Sequence, residues 1–104
     1  MSEKHYKLRF ISLFEDDLNS IVDYITVGLQ NQTAADMLVD DVQQAIHDRL
    51  PYAESFEHYY PLKTREYPYY RIYVKNYTVY YVVIGDTMEV RRILYNKRAV
   101  SEEI

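Results

Sequence analysis

The apolar positions of this chain change period twice. Tyr6, Leu8 and Phe10 alternate with Lys7 and Arg9, which predicts a short, half-buried strand over residues 5–11. Phe14, Leu18, Ile21, Val22, Ile25 and Leu29 then recur at helical spacing, with Asp16, Asp17, Asn19, Ser20 and Asp23 on the opposite side. Ser12 with Glu15 three residues later predicts a capping box, each side chain satisfying a backbone N–H at the helix start. Gly28 and the polar run Gln30-Asn31-Gln32-Thr33 predict the end of that helix and a reversal of the chain.

Thr33 with Asp36 predicts the start of a second helix. Its stripe is Ala34, Ala35, Leu38, Val42, Ala45, Ile46 and Leu50, and Pro51 stops it. The small side chains of Ala35 and Ala45 allow close approach, and the short link makes the two helices an antiparallel hairpin. Residues 51–66 show no steady period and read as a loop. Beyond them Tyr70, Ile72 and Val74 alternate with Tyr69, Arg71, Tyr73 and Lys75, which is a strand pattern. Lys75-Asn76 and Gly85-Asp86 are candidate hairpin turns around strands 77–84 and 87–95. The predicted fold is α+β, in the order β-α-α-β-β-β: a small, mostly antiparallel sheet packed against an N-terminal helical hairpin. At 104 residues the chain has room for one domain, residues 1–104, with one modest core.

Composition adds a charge asymmetry. The net charge is −4, yet residues 63–98 hold eight basic side chains against three acidic ones, a local excess of +5. Residues 1–62 hold four basic and eleven acidic side chains. A basic sheet within an acidic protein points to a face for an acidic partner, nucleic acid or protein. Thirteen tyrosines and no tryptophan suit a small sheet whose rings cover a core while their hydroxyls reach the rim. The absence of cysteine excludes disulfides and thiolate metal sites, and it fits a reducing compartment. The opening residues lack the apolar run of a signal peptide, and no segment approaches membrane-spanning length. A soluble, cytoplasmic protein without a membrane partner is the expectation.

Familiar catalytic constellations are nearly missing from the sequence. Two glycines cannot build a phosphate loop, and His5, His47 and His58 sit on three different elements without zinc-type spacing. Asp36, Asp40, Asp41 and Asp48 read most simply as the wet side of the second helix. No metal and no cofactor are expected. The basic strands carry more chemistry. Arg71 and Lys75 emerge opposite Ile72 and Val74, and the adjacent Arg91 and Arg92 must point to opposite faces. Tyr69, Tyr73, Tyr80 and Tyr95 are candidates to stack on bases while the cations hold phosphates. The plainer reading is that the tyrosines roof a small sheet and the cations pair with Glu66 or Glu89.

The order and spacing of these segments resemble the RelE/ParE superfamily of bacterial toxins from type II toxin–antitoxin modules. The likeness runs over nearly the whole chain. It covers the opening strand, the helix from Phe14 to Ile25, the Thr33-Ala34-Ala35 start of the second helix and the run Tyr70-Arg71-Ile72-Tyr73-Val74. Asn76-Tyr77-Thr78-Val79-Tyr80-Tyr81 and the ending Val90-Arg91-Arg92-Ile93-Leu94-Tyr95-Asn96-Lys97-Arg98 complete it. The resemblance implies a growth-inhibiting toxin held inactive by a cognate antitoxin, in a hetero-oligomer with it, whose extended segment wraps this domain.

Two mechanisms divide that family. RelE-like members are metal-independent endoribonucleases that cut ribosome-bound mRNA by 2′-hydroxyl attack on the neighbouring phosphate, which needs cations and a proton-moving group. In their usual pattern an arginine stands where this chain has Thr78, and the His-Tyr ending of another nuclease subgroup falls near Asn96 and Lys97. ParE-like members instead poison DNA gyrase, and the Ala34-Ala35 start and Tyr95-Asn96-Lys97-Arg98 ending look closer to them. The balance of the resemblance falls to gyrase, with mRNA cleavage, or an inactive relative acting as a binding module, as the alternatives. If the chain is RelE-like, Arg71, Arg92, Tyr95 and Arg98 are the candidate catalytic set. Lys63, Arg65, Arg71, Tyr73, Lys97 and Arg98 are the candidate target-binding residues. Leu18, Val22 and Leu38, beside the hairpin, are the candidate antitoxin contacts, although a core role for each is the plainer reading.

Overall fold

The computed structural model describes residues 5–60 and 66–97. It shows β1 (Lys7–Phe10), α1 (Ser12–Asp23), a π turn (Tyr24–Gly28), α2 (Gln32–Arg49) and a 3-10 turn (Leu50–Tyr52). β2 (His58–Tyr59), β3 (Tyr69–Val74), β4 (Tyr77–Ile84) and β5 (Thr87–Tyr95) follow. The strands form one sheet in the order β1-β5-β4-β3-β2. β1 runs parallel to β5, and the other neighbours are antiparallel. The expected α+β architecture is therefore present, with a fifth strand at the far edge. β2 lies in the stretch read as a loop, because two residues, His58 and Tyr59, are too few to show a period.

The first helix starts one residue away from where a capping box would place it. Ile11 N donates to Val90 O at 3.1 Å, so the parallel pairing with β5 holds Ile11 extended (φ −86°, ψ 155°) as the last residue before the helix. Ser12 is then already helical, and no side chain caps the helix. At the second helix the cap is Asn31, whose Oδ1 accepts from Ala34 N at 3.1 Å, rather than Thr33. Gln30, left-handed at φ 52°, makes the reversal that puts Asn31 there.

The π turn corrects another expectation. Leu29 N donates to Tyr24 O, five residues back, so the turn holds one more residue than an α-helical turn. Ile25 stays in the core, while Leu29 rotates off the apolar stripe and is 57% exposed.

Both two-residue hairpin turns form as read, with Lys75 (φ 53°) and Gly85 (φ 63°) supplying the positive φ. The main core lies between the helices and one sheet face. Phe14, Ala35, Leu38, Val42 and Ile46 pack there against Ile72, Val79, Tyr81, Met88, Val90 and Ile93. A second, smaller cluster of Tyr69, Tyr80, Val82 and Leu94 sits on the other face, bordered by Tyr59, Tyr67 and Ile84. A bulge at Arg91 separates the pairs Tyr80–Arg92 and Tyr81–Val90.

Candidate functional site

Among the described residues, the predicted cations do not gather into one patch. Past Val90, β5 outruns the short β1, and α1 lies along its free edge. There Asp17 accepts from Arg92 Nε at 2.7 Å and from the Ile93 backbone N–H at 3.2 Å. A second Arg92 nitrogen reaches the other carboxylate oxygen at 2.9 Å. Both side chains of this pair are close to buried, at 12% and 13% exposure. Arg92 therefore ties helix to sheet.

Arg91, the extra residue of the bulge, lies with Glu89 and Tyr69 on the face away from the helices, and the bulge breaks the strict alternation expected of the two adjacent arginines. Its Nε donates to Glu89 at 2.7 Å, and Arg9 binds the same carboxylate from β1 at 2.9 Å. Burial works against the ionisation of Glu89, but hydrogen bonds and charge from Arg91 and Arg9 outweigh it and hold its carboxyl below the ordinary value. Lys75 pairs with Asp41 of α2 at 3.1 Å, and Lys7 lies 3.9 Å from Asp86. Most of the described cations are thus spent on internal carboxylates.

Arg71 differs. No described carboxylate pairs with it, and its guanidinium lies 4.6 Å over the Tyr59 ring and 5.7 Å from the Tyr73 ring. Tyr73 is 65% exposed. Tyr69 and Tyr80, read from the sequence as stacking rings, are instead buried in the small outer cluster. Burial, assisted by Tyr59 and opposed by Arg71, pushes the Tyr80 phenol up to about 12. It is a weak proton carrier at neutral pH.

Tyr95 lies away from Arg71. It pairs across the ladder with Tyr77, their rings 5.6 Å apart, and lines a groove of about 570 Å³. That groove opens between α1, the π turn and the ends of β4 and β5, and is lined by Ile21, Tyr24, Leu29, Tyr77 and Ile93 among others. Three phenols meet here: burial raises the Tyr77 pKa, and the neighbouring Tyr95 and Tyr24 raise it further.

The three described candidate catalytic residues therefore occupy separate surroundings. Arg71 is on the outer face, Arg92 is tied to Asp17, Tyr95 is in the groove, and Arg98 lies outside the described residues, as do Lys63 and Arg65. Lys97 is exposed in the turn after β5. Thr78 and Asn96 are brought together, since the Thr78 hydroxyl donates to the Asn96 side-chain oxygen. Thr78 is buried as well. Leu18 and Val22 are partly buried against the core, and Leu38 is 3% exposed within it, which leaves Leu38 no surface for a partner.

Sequence reasoning missed the groove rim of Tyr24, Leu29 and Asn76. The helical period continued smoothly through Leu29, and only a tyrosine next to a glycine-bearing turn hinted at a break. It also missed Arg49, which donates to Arg71 O at 3.1 Å and Tyr81 Oη at 3.0 Å while lying 3.4 Å over the Phe56 ring. Among the described residues no cluster of His, Asp or Glu is placed to hold a metal ion, and no helix is long and apolar enough to cross a membrane.

Residues 8–100 match the family model described as the ParE toxin of the type II toxin–antitoxin system parDE. Among solved structures, the chromosomal ParDE toxin–antitoxin system from P. aeruginosa superposes with a TM-score of 0.68 at 18% identity. It covers 88% of this chain and 96% of that one. The RelB–RelE antitoxin–toxin complex from Methanococcus jannaschii gives a TM-score of 0.48 at 21% identity, over 92% and 98% of the two chains. No curated protein sequence matches this one.

Proposed function

This chain belongs to the ParE toxin family of type II toxin–antitoxin systems, and from that membership we propose that it arrests bacterial growth by inhibiting DNA gyrase in the cytoplasm. The observation that carries the choice over mRNA cleavage is the Thr78–Asn96 hydrogen bond. Cutting RNA by 2′-hydroxyl attack needs a cation on the phosphate and a group that moves the proton. The two positions where nuclease relatives keep such groups hold a buried threonine and an asparagine, satisfied by each other. Arg92, a further cation a nuclease would use, is committed to Asp17.

A cognate antitoxin silences the toxin in this reading. Its apolar residues dock in the groove between α1 and β5, which is rimmed by exposed Tyr24, Leu29 and Tyr95. Leu18 and Val22 pack against the main core and do not line that groove, and Lys97, two residues beyond Tyr95, is a target or antitoxin contact in this reading.

The test is a pair of assays on the purified protein. Gyrase supercoiling of relaxed plasmid should stop at stoichiometric toxin, while a transcript under translation on ribosomes stays intact. Ribosome-dependent cleavage with supercoiling unaffected would overturn the gyrase reading and restore the nuclease one.

A further inference from the structure

We propose that Tyr60 is a nucleophilic phenol, with His58 as its base and Tyr70 as the positioning residue, and that it is a site of covalent O-acylation by uncharged activated esters. This goes beyond gyrase inhibition and uses neither the groove nor Arg71.

The placement follows from the two-residue strand at the far edge of the sheet. In β2, His58 stands directly opposite Tyr70 of β3, so the two side chains share a face. Tyr60 follows His58 by two residues and returns to that face. Its hydroxyl lies 2.9 Å from His58 Nδ1, while the Tyr70 hydroxyl lies 3.1 Å from Nε2. A hydroxyl within reach of a base, itself oriented by a third group, is the arrangement that activates weak nucleophiles.

Tyr70 is the fixed point. It is buried, its ring stands perpendicular to the imidazole at 5.0 Å, and it stacks on Tyr81 at 5.1 Å. Tyr81 is in turn tied through its hydroxyl to Ala53 O and Arg49. Burial, and after it the charge of Glu54, raises the Tyr70 pKa, so this phenol stays protonated. Glu54 draws the positive end of the Tyr70 O–H dipole, which leaves the phenol oxygen to accept from His58 Nε2–H. That assignment puts the imidazole proton on Nε2 and a lone pair on Nδ1, beside Tyr60. As the Tyr60 proton passes to Nδ1, the Tyr70 oxygen and the Glu54 charge both favour the imidazolium that forms.

Charge selects the electrophile. Glu54 is the charged group acting on both Tyr70 and Tyr6, and it accepts the Tyr6 hydroxyl at 2.7 Å. Arg49, behind Tyr70, is committed to the Tyr81 hydroxyl and the Arg71 carbonyl. A phosphoryl donor brings negative charge that needs cations, and here it meets a carboxylate. An ester brings none. Tyr60 Oη attacks the ester carbonyl carbon and its proton moves to His58 Nδ1. The bond from that carbon to the leaving oxygen then breaks, and the product is an acyl ester of Tyr60. A phenolate leaving group departs unprotonated, and His58 returns its proton to water.

The experiment treats the purified full chain with p-nitrophenyl acetate, follows p-nitrophenolate release and locates acetyl groups by peptide mass spectrometry. Tyr60 is 73% exposed, and Tyr73 and Tyr24, at 65% and 61%, are internal references of similar access. Among the described residues, neither reference hydroxyl has a hydrogen bond. Tyr60 should be acetylated about 100-fold faster than either, the lower end of general-base assistance because the site is open to water. His58→Gln should bring Tyr60 down to the reference rate. Tyr70→Phe keeps the ring contacts and loses only the hydroxyl; it should slow Tyr60 at least about tenfold, since the tautomer is no longer set. A packing role alone would leave that rate unchanged. Heavy water should slow acetylation of Tyr60 in the parent and not in His58→Gln, because a proton moves in the reacting step.

Acetylation of Tyr60 at the reference rate would overturn the proposal. So would a Tyr60 rate that His58→Gln leaves unchanged, or label that stays on His58, because the imidazole would then be the nucleophile. Thermal melts of each variant show that the fold is intact. Supercoiling inhibition, measured on the same samples, separates failure of this site from failure of the gyrase reading.

Discussion

Replacing Asp17 with alanine tests both the architecture and the placement of the toxic surface. In the intact protein its carboxylate takes two guanidinium hydrogen bonds from Arg92 and one backbone N–H from Ile93, at the edge of β5 that β1 does not reach. Asp17→Ala removes two charge-assisted bonds from a nearly buried guanidinium and takes the acceptor from a strand-edge N–H. Removing one partner of a buried pair costs about 3–5 kcal/mol. The residual exposure of this pair favours the lower end, so about 3 kcal/mol is expected. For a domain of this size that lowers Tm by roughly 12 °C or more. The assay is urea and thermal unfolding of Asp17→Ala, Arg92→Ala and the double variant. The double variant should be less destabilised than the sum of the singles by at least about 2 kcal/mol, because the two single changes break the same pair. Additivity within about 0.5 kcal/mol would refute the claim that the pair is a structural clasp. A stable Arg92→Ala that no longer arrests growth would refute it more directly, since Arg92 would then be a target contact.

Three further outcomes follow from the same geometry. Arg49→Met should lower stability by about 2–3 kcal/mol in urea titrations, because the Arg71 carbonyl and the Tyr81 hydroxyl both lose a charged donor. Glu89 titrates below the ordinary carboxylate value of 4.5 when folded; the unfolded chain therefore binds the extra proton first, and Glu89 stabilises the fold above that value. That stabilisation is lost as pH falls through the folded pKa, and Glu89→Gln should flatten the fall of the urea midpoint below about pH 5. Gly85→Ala should cost about 1 kcal/mol from backbone strain alone, since φ is 63° and nothing lies within 4 Å of the added methyl; a thermal melt measures it.

Much of this protein was readable from the order of its residues. Alternation at Tyr70, Ile72 and Val74, helical spacing from Phe14 to Ile25 and from Ala35 to Ile46, and turn chemistry at Gly85 are local properties. They predict the elements and the α+β class. Local signals fail where a distant strand intervenes. The Ser12 capping box gave way because Val90, far along the chain, pairs with Ile11 and moves the helix start. The π turn similarly shifted Leu29 from a predicted core position to a groove rim, although the run of residue types around it is ordinary.

The charges show the same division more sharply. An excess of positive side chains in the last third of the chain is evident from composition, but composition does not say which of them remain available. Pairing across the fold spends Arg92 on Asp17, Arg9 and Arg91 on Glu89, and Lys75 on Asp41. Apart from Arg91 and Glu89, two residues apart on β5, the partners are remote in sequence and on another element, and burial makes some of these pairs hard to break. Arg71 stands apart from those ion pairs because the strands beside it present rings rather than carboxylates. Which cation is left to meet a ligand depends on distance and desolvation, and both come into being only when the chain is folded.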